Sequence, residues 1–165
     1  MTRFNSSNVY HRSRLLGVLA AAILFAGCQE DRPDGPTISA TIPPLAMILD
    51  RLSEGGPAVV TLLPPGASPH THELAPSDAK VAANSLAVIY VGPTLDAWAA
   101  RIDSCAHVAA LGLLPGDRLL ACPSDSERVI DPHFWLDPIV VRDMLPAIVE
   151  ELTKIDPVSA PLFEE

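Results

Sequence analysis

Four short apolar runs, spaced along the chain and separated by Pro- and Gly-punctuated stretches, most constrain what this sequence can fold into. Residues 37–42, 58–63, 86–91 and 107–111 are brief and rich in Ala, Val, Ile and Leu. In the first, Ile38, Ala40 and Ile42 fall on one side, the period of a strand. Between the runs lie helix patterns. Pro43-Pro44 opens one that carries Leu45, Ile48, Leu49 and Leu52, and Gly55-Gly56 closes it. Ser77 reads as the cap of a second, running to Asn84. Gly92-Pro93 stops the third apolar run. Thr94 reads as the cap of a helix with Leu95, Trp98 and Ile102 on one face. Strand and helix in alternation predict an α/β fold: an open parallel sheet flanked by helices.

The remainder fits that frame. Residues 115–128 are polar and irregular in pattern. Residues 139–155 are helical in period, with Val141, Leu145, Ile148 and Leu152 on one stripe, and Pro146 is expected to kink them. Asp156-Pro157 then interrupts. A hydrophobic share of 48% supplies a core, and with only 5% aromatic residues Ala, Leu, Val and Ile must fill it. At 165 residues the chain suggests one domain.

The N-terminus is of a different kind. Arg3, Arg12 and Arg14 precede a run without charge, residues 15–27, which ends in small residues before Cys28. That run is shorter than the ~20 apolar residues a membrane span needs. The pattern is that of a secretory signal. Phe25-Ala26-Gly27-Cys28 resembles the lipobox of bacterial lipoproteins, in which the cysteine is lipidated and becomes the new N-terminus. An ordinary signal peptide or a retained anchor is the plainer reading. The expected organisation is a lipoprotein signal over residues 1–27, a tether over 28–36, a lobe over 37–138, and a helix beginning at 139. Beyond residue 27, 8 basic residues face 20 acidic ones. So acidic a chain argues against nucleic acid, whose phosphates need Lys and Arg, and suits a cation.

Two stretches carry the chemistry. Residues 131–138 read Asp-Pro-His-Phe-Trp-Leu-Asp-Pro. Pro132 stiffens the loop around His133, Phe134 and Trp135 can anchor it, and Asp137-Pro138 has the form of an N-cap and first helical residue. Residues 64–78 hold a second histidine directly after a proline, His70 after Pro69. Ligands of open α/β sheets bind outside the carboxyl ends of strands, and both histidines can reach that edge. Neutral imidazole suits zinc and also iron, copper or nickel, while carboxylate and water suit manganese. Two such histidines either share a metal or are ordinary loop residues bonded to backbone; spacing alone leaves both readings open.

Pro-His-Thr-His-Glu-Leu-Ala-Pro-Ser-Asp, then Leu-Ala-Val-Ile-Tyr-Val-Gly and Leu-Asp-Ala-Trp, then Asp-Pro-His-Phe-Trp-Leu-Asp-Pro occur in this order. In order and spacing they resemble the zinc/manganese solute-binding proteins of bacterial ABC importers, from about Thr37 to the end of the chain. The resemblance implies a secreted, often lipid-anchored protein, periplasmic or on the cell surface, with two α/β lobes joined by a long helix. It implies a zinc or manganese ion between the lobes, delivery to an ABC permease and its ATPase, and no catalysis. The family's first two histidine ligands fall on His70 and His133. The sequence departs from the pattern by ending near the start of the joining helix, so a second lobe and its ligands are missing from it. It also lacks a histidine-rich loop before His133. Two rivals stay beside this reading: a lipid-anchored structural or cell-adhesion domain that uses metal for folding, and a zinc hydrolase. The latter lacks His-Glu-x-x-His and has only Glu73 near His70.

The remaining polar candidates have plainer roles. His72, at strand spacing from His70, should point away from it, to the surface or a hydrogen bond. His107 is assigned to structure, and His11 leaves with the signal. Glu73 is assigned to solvent or a hydrogen bond. Asp131 either orients His133 or simply turns the chain before proline. Trp98 and Trp135 are assigned to the core. Cys105 and Cys122 either form a disulfide, worth ~3 kcal/mol for a loop of this length, or remain free buried thiols.

Overall fold

The computed structural model describes residues 35–103, 106–122 and 129–163. All lie in one compact unit that begins at Pro33. The proposed signal, Cys28 and most of the tether fall outside the described residues, as does Cys105. The side chain of Cys122 falls outside them too, so the Cys105–Cys122 alternative is untouched by the structure.

Four parallel strands form the sheet: β1 (Thr37–Ala40), β2 (Ala58–Thr61), β3 (Ala87–Tyr90) and β4 (Ala106–Ala109). Their order is β2-β1-β3-β4. Ile38 pairs with Val59 on one side and Ala87 on the other, and Ile89 pairs with Val108. The α/β parallel sheet expected from the alternation is present. Each strand is shorter than its apolar run, because the leftover residues form the strand exits. Leu62 and Leu63, for example, still donate to Ala40 O and Thr41 O at 2.8 and 3.0 Å. The chain passes from β1 to β2 on one side and then crosses to β3 on the other. The strand order therefore reverses between β1 and β3, the position at which open α/β sheets bind ligands.

Alternate residues pack on opposite faces, as pleating requires. Ile38, Ala40, Ala87 and Ile89 face a large core with Leu45, Leu49, Met144 and Ile148. Val88 faces a smaller cluster with Leu62, Ala82 and Ile102. Helix α1 (Pro43–Leu52) starts with proline and buries Leu45 and Leu49. At its end the Ser53 hydroxyl donates to Leu49 O at 2.6 Å. Gly55 then takes φ +83°, a conformation that favours glycine.

Three helical expectations need correction. Helix α2 (Pro76–Ala83) is capped by Ala75, not Ser77. Pro76 restricts the residue before it to extended geometry, so the helix can only begin there. No α-helix follows Thr94: turns lead to a single 3₁₀ turn at Ala99–Arg101. There the Asp96 carboxyl turns inward and accepts from the Val91 and Gly92 N–H groups behind it. Leu95 and Ile102, expected on one face, enter different clusters. Helix α3 (Pro138–Ile155) buries Val140, Met144, Ile148 and Leu152. The stripe starts one residue earlier than Val141 and Leu145 suggested, following a strict four-residue step. The helix runs through Pro146, which is exposed on the outer side.

Two elements were not legible as such. β5 (Ala121–Cys122), within residues 115–128, pairs antiparallel with β6 (Val129–Ile130), just after them. Helix α4 (Ala160–Phe163) follows the Asp156-Pro157 break and buries Phe163. Among the described residues no helix is long and apolar enough to cross a membrane.

Candidate metal centre

The loop that carries His70 leaves β2 through two successive turns. Pro64-Pro65-Gly66-Ala67 closes with Ala67 N–H donating to Pro64 O at 3.1 Å, and Gly66 has φ +81°. Proline then glycine at the central positions is the signature of a type II turn. Ser68-Pro69-His70-Thr71 closes next, Thr71 N–H to Ser68 O at 3.3 Å. His70 is thus presented, exposed, at the third position of a turn.

The His133 loop is held more firmly. Pro132 and Phe134 are buried on either side of it. Residues Phe134–Leu136 form one 3₁₀ turn, and Asp137 caps α3 by accepting from Ile139 N–H at 2.9 Å and Val140 N–H at 3.3 Å. Asp131 Oδ1 accepts the His133 backbone N–H at 2.9 Å and lies 2.8 Å from ring Nδ1. The two alternatives for Asp131 thus merge: it turns the chain and grips the imidazole. The His133 backbone N–H, then its ring, hold the Asp131 carboxyl below the usual carboxylate range. With Nδ1 engaged, Nε2 is left as the free nitrogen of His133. Trp135 stacks edge-on against that ring, centres 5.3 Å apart, and packs its other side on the core.

His70 and His133, 63 positions apart in sequence, meet. Their ring centres are 6.0 Å apart with planes at 51°. Zinc–imidazole bonds of ~2.0–2.1 Å place a ring centre ~3.2 Å from the ion, so two rings can share one ion up to ~6.4 Å apart and reach tetrahedral angles near ~5.2 Å. The observed separation lies inside that limit, less than about 1 Å from the tetrahedral value. Among the described residues no group of three or more His, Cys, Asp or Glu converges on one point. Beside His133 a depression of about 240 Å³ is lined by Leu114, Arg118, Leu120, Leu136 and Val140. Leu120 and Leu136 are strongly exposed there.

The other named residues stand apart. The His72 ring sits edge-on to Trp98, centres 5.5 Å apart, in half-buried surroundings. Among the described residues, its Nε2 and Trp98 Nε1 are buried with no hydrogen-bond partner. His107 is exposed on β4, and Glu73 is exposed. Sequence reading passed over Asp96. It is fully buried, and it accepts hydrogen bonds from Thr41 Oγ1 at 2.5 Å, Val91 N–H at 2.9 Å and Gly92 N–H at 2.8 Å. The signal was present: one acid in the apolar stretch that follows Gly92-Pro93.

Comparison with known proteins identifies the family. The family described as "ZnuA: Zinc-uptake complex component A periplasmic" matches residues 38–165. The chain belongs to this family. It is 27% identical over 154 residues to the manganese-binding lipoprotein MntA of Halalkalibacterium halodurans, covering 88% of this chain and 50% of that protein. It is 26% identical over 179 residues to the high-affinity zinc uptake system protein ZnuA of Yersinia pestis, covering 89% of this chain and 55% of that protein. A zinc-bound ZnuA deletion mutant superposes with TM-score 0.68 at 25% identity, over 79% of this chain and 51% of the other. The chain thus spans about half the length of these relatives. The family's description is that of a transport component and not of an enzyme.

Proposed function

We propose that this chain is the N-terminal, metal-holding lobe of an extracytoplasmic solute-binding component of an ABC importer, and that its cargo is zinc or manganese. The observation that carries this reading is the approach of His70 and His133 to 6.0 Å at the carboxyl edge of the sheet. His133 offers Nε2 because Asp131 holds Nδ1; this is how a carboxylate orients a metal-ligating histidine and raises its basicity. Two imidazoles leave the remaining coordination positions to water or to a second lobe, which makes the ion releasable. A carrier needs that property and no activated water, so the proposed role is non-catalytic. Its partners are a permease and its ATPase. Cys28 is the proposed site of a lipid anchor that keeps the protein at the outer surface of the cytoplasmic membrane, after removal of residues 1–27.

Competitive titration against a chromophoric chelator tests the site. His70→Ala and His133→Ala are each expected to weaken zinc binding by more than the ~100-fold upper range for loss of an orienting partner. His72→Ala, whose ring lies against Trp98 and apart from the pair, is expected to leave it unchanged. Equal losses from His72→Ala and His70→Ala would overturn the assignment.

A further inference from the structure

Asp96 lies at the point where the strand order reverses. Its carboxyl binds the exits of β1 and β3 at once: Thr41 Oγ1–H on the β1 side, and the Val91 and Gly92 N–H groups on the β3 side. One hydrogen bond further on are the other two strands. Thr41 O accepts Leu63 N–H at 3.0 Å, at the root of the loop that carries His70. Val91 O accepts Leu111 N–H at 2.9 Å, at the exit of β4. Leu63 and Leu111 belong to the same packed core as Phe134, the residue after His133. Two strand exits thus bind one buried side chain directly, and the other two are linked to it at one hydrogen bond's remove.

The chemistry asks for a carboxylate. Both oxygens receive donors, one of them two, and an ionised carboxyl is the acceptor-only group that can satisfy all three. An amide at this position would aim its NH₂ at either Gly92 N–H or the Thr41–Val91 pair.

We propose that Asp96 is a positioning residue for the His70–His133 pair. By locking the strand exits to one another it fixes the root from which the His70 loop springs relative to the core that anchors His133. This rests on the metal reading above.

The test uses cobalt(II), whose ligand-field spectrum reports coordination geometry, added to the full chain and to Asp96→Asn, Thr41→Val and Thr41→Ser. Melting temperature and far-ultraviolet circular dichroism are recorded on the same samples. Asp96→Asn is expected to weaken cobalt binding ~10-fold or more and to shift its visible bands, at a temperature where the fold signal matches wild type. Thr41→Val should do the same to a lesser degree. Thr41→Ser, which keeps the hydroxyl donor, should restore the wild-type spectrum. Lower melting temperatures with unchanged affinity and bands would overturn the inference and leave Asp96 a scaffold residue. Should Asp96→Asn not fold, the Thr41→Val and Thr41→Ser pair decides alone by the same readouts. Wild type that takes up no cobalt overturns the metal reading and the inference with it. Wild type that binds cobalt while the folded variants match it overturns the inference only.

Discussion

The two histidine-bearing loops meet at one point but are held in different ways. The His133 loop is fastened by Pro132, by the buried Phe134, by Asp131 on both backbone and ring, and by the Asp137 cap of α3. The His70 loop leaves β2 on two turn hydrogen bonds, and most of its side chains are exposed. One histidine is preset and the other is presented on a segment with few fixings. Segments with few buried contacts open at the low end of a protein's stability scale. In the proposed metal role, the sub-ångström adjustment needed for tetrahedral angles would fall to the His70 side.

The widest expected contrast is in stability. Phe134→Ala removes a buried ring from the base of the His133 loop and should cost about 3–5 kcal/mol. Ser68→Ala, at an exposed position of the His70 loop, should stay within about 0.5 kcal/mol. Urea unfolding midpoints of the two variants, at equal slopes, give the difference directly. Similar losses would mean that the His70 loop is built into the core after all, and the contrast between the loops would fail.

Asp131 sharpens the same contrast at the level of ligand orientation. Asp131→Ala frees the His133 ring and is expected to lower zinc affinity ~10–100-fold with little change in the melting temperature of the metal-free protein, because the carboxyl is partly solvated. Thr71→Ala, beside His70 in a turn closed by backbone groups, should leave affinity unchanged. Chelator competition reads both. A loss from Thr71→Ala as large as that from Asp131→Ala would show that the His70 side is oriented as tightly.

The same asymmetry governed what could be read from the sequence. Residues 131–138 announce their structure because each constraint is local: proline acts on its neighbour, Asp137 caps the helix two residues on, and Asp131 reaches His133 two residues on. The type II turn of Pro64-Pro65-Gly66-Ala67 is equally local. The four strands and α1 were legible for a related reason, since alternation and helical period are short-range. What was missed depends on distant partners. Asp96 joins Thr41, 55 positions away, to Val91 and Gly92 close by, and the distant half of that set has no signature in the sequence. β5 and β6 are two residues each, too short for alternation to show in the sequence. The stripe of α3 was misread by one residue because Val140 and Val141, or Met144 and Leu145, are equally apolar, and only the sheet beneath decides which is inside.

The smallest expected effect is a charge pair on the preset side. Asp143 on α3 accepts from Arg142 and, at 2.7 Å, from Arg118, which lines the depression beside His133. The pair ties the segment before β5 to the helix that begins at the His133 loop. Arg142 first, with Arg118 behind it, holds the Asp143 carboxyl below the usual range. A carboxyl whose pKa is lowered by folding adds stability that is complete above its unfolded value, ~3.9, and that disappears as pH falls through the lower folded value. The gap in melting temperature between wild type and Asp143→Asn should therefore be constant near neutral pH. It should shrink below about pH 4 and shrink with added salt, since these groups are solvent-facing and screened. A gap that persists unchanged into acid would mean that charge contributes nothing here. The His133 side would then be held by packing, by the Asp137 cap and by Asp131, and its advantage over the His70 loop would have to survive Asp143→Asn intact.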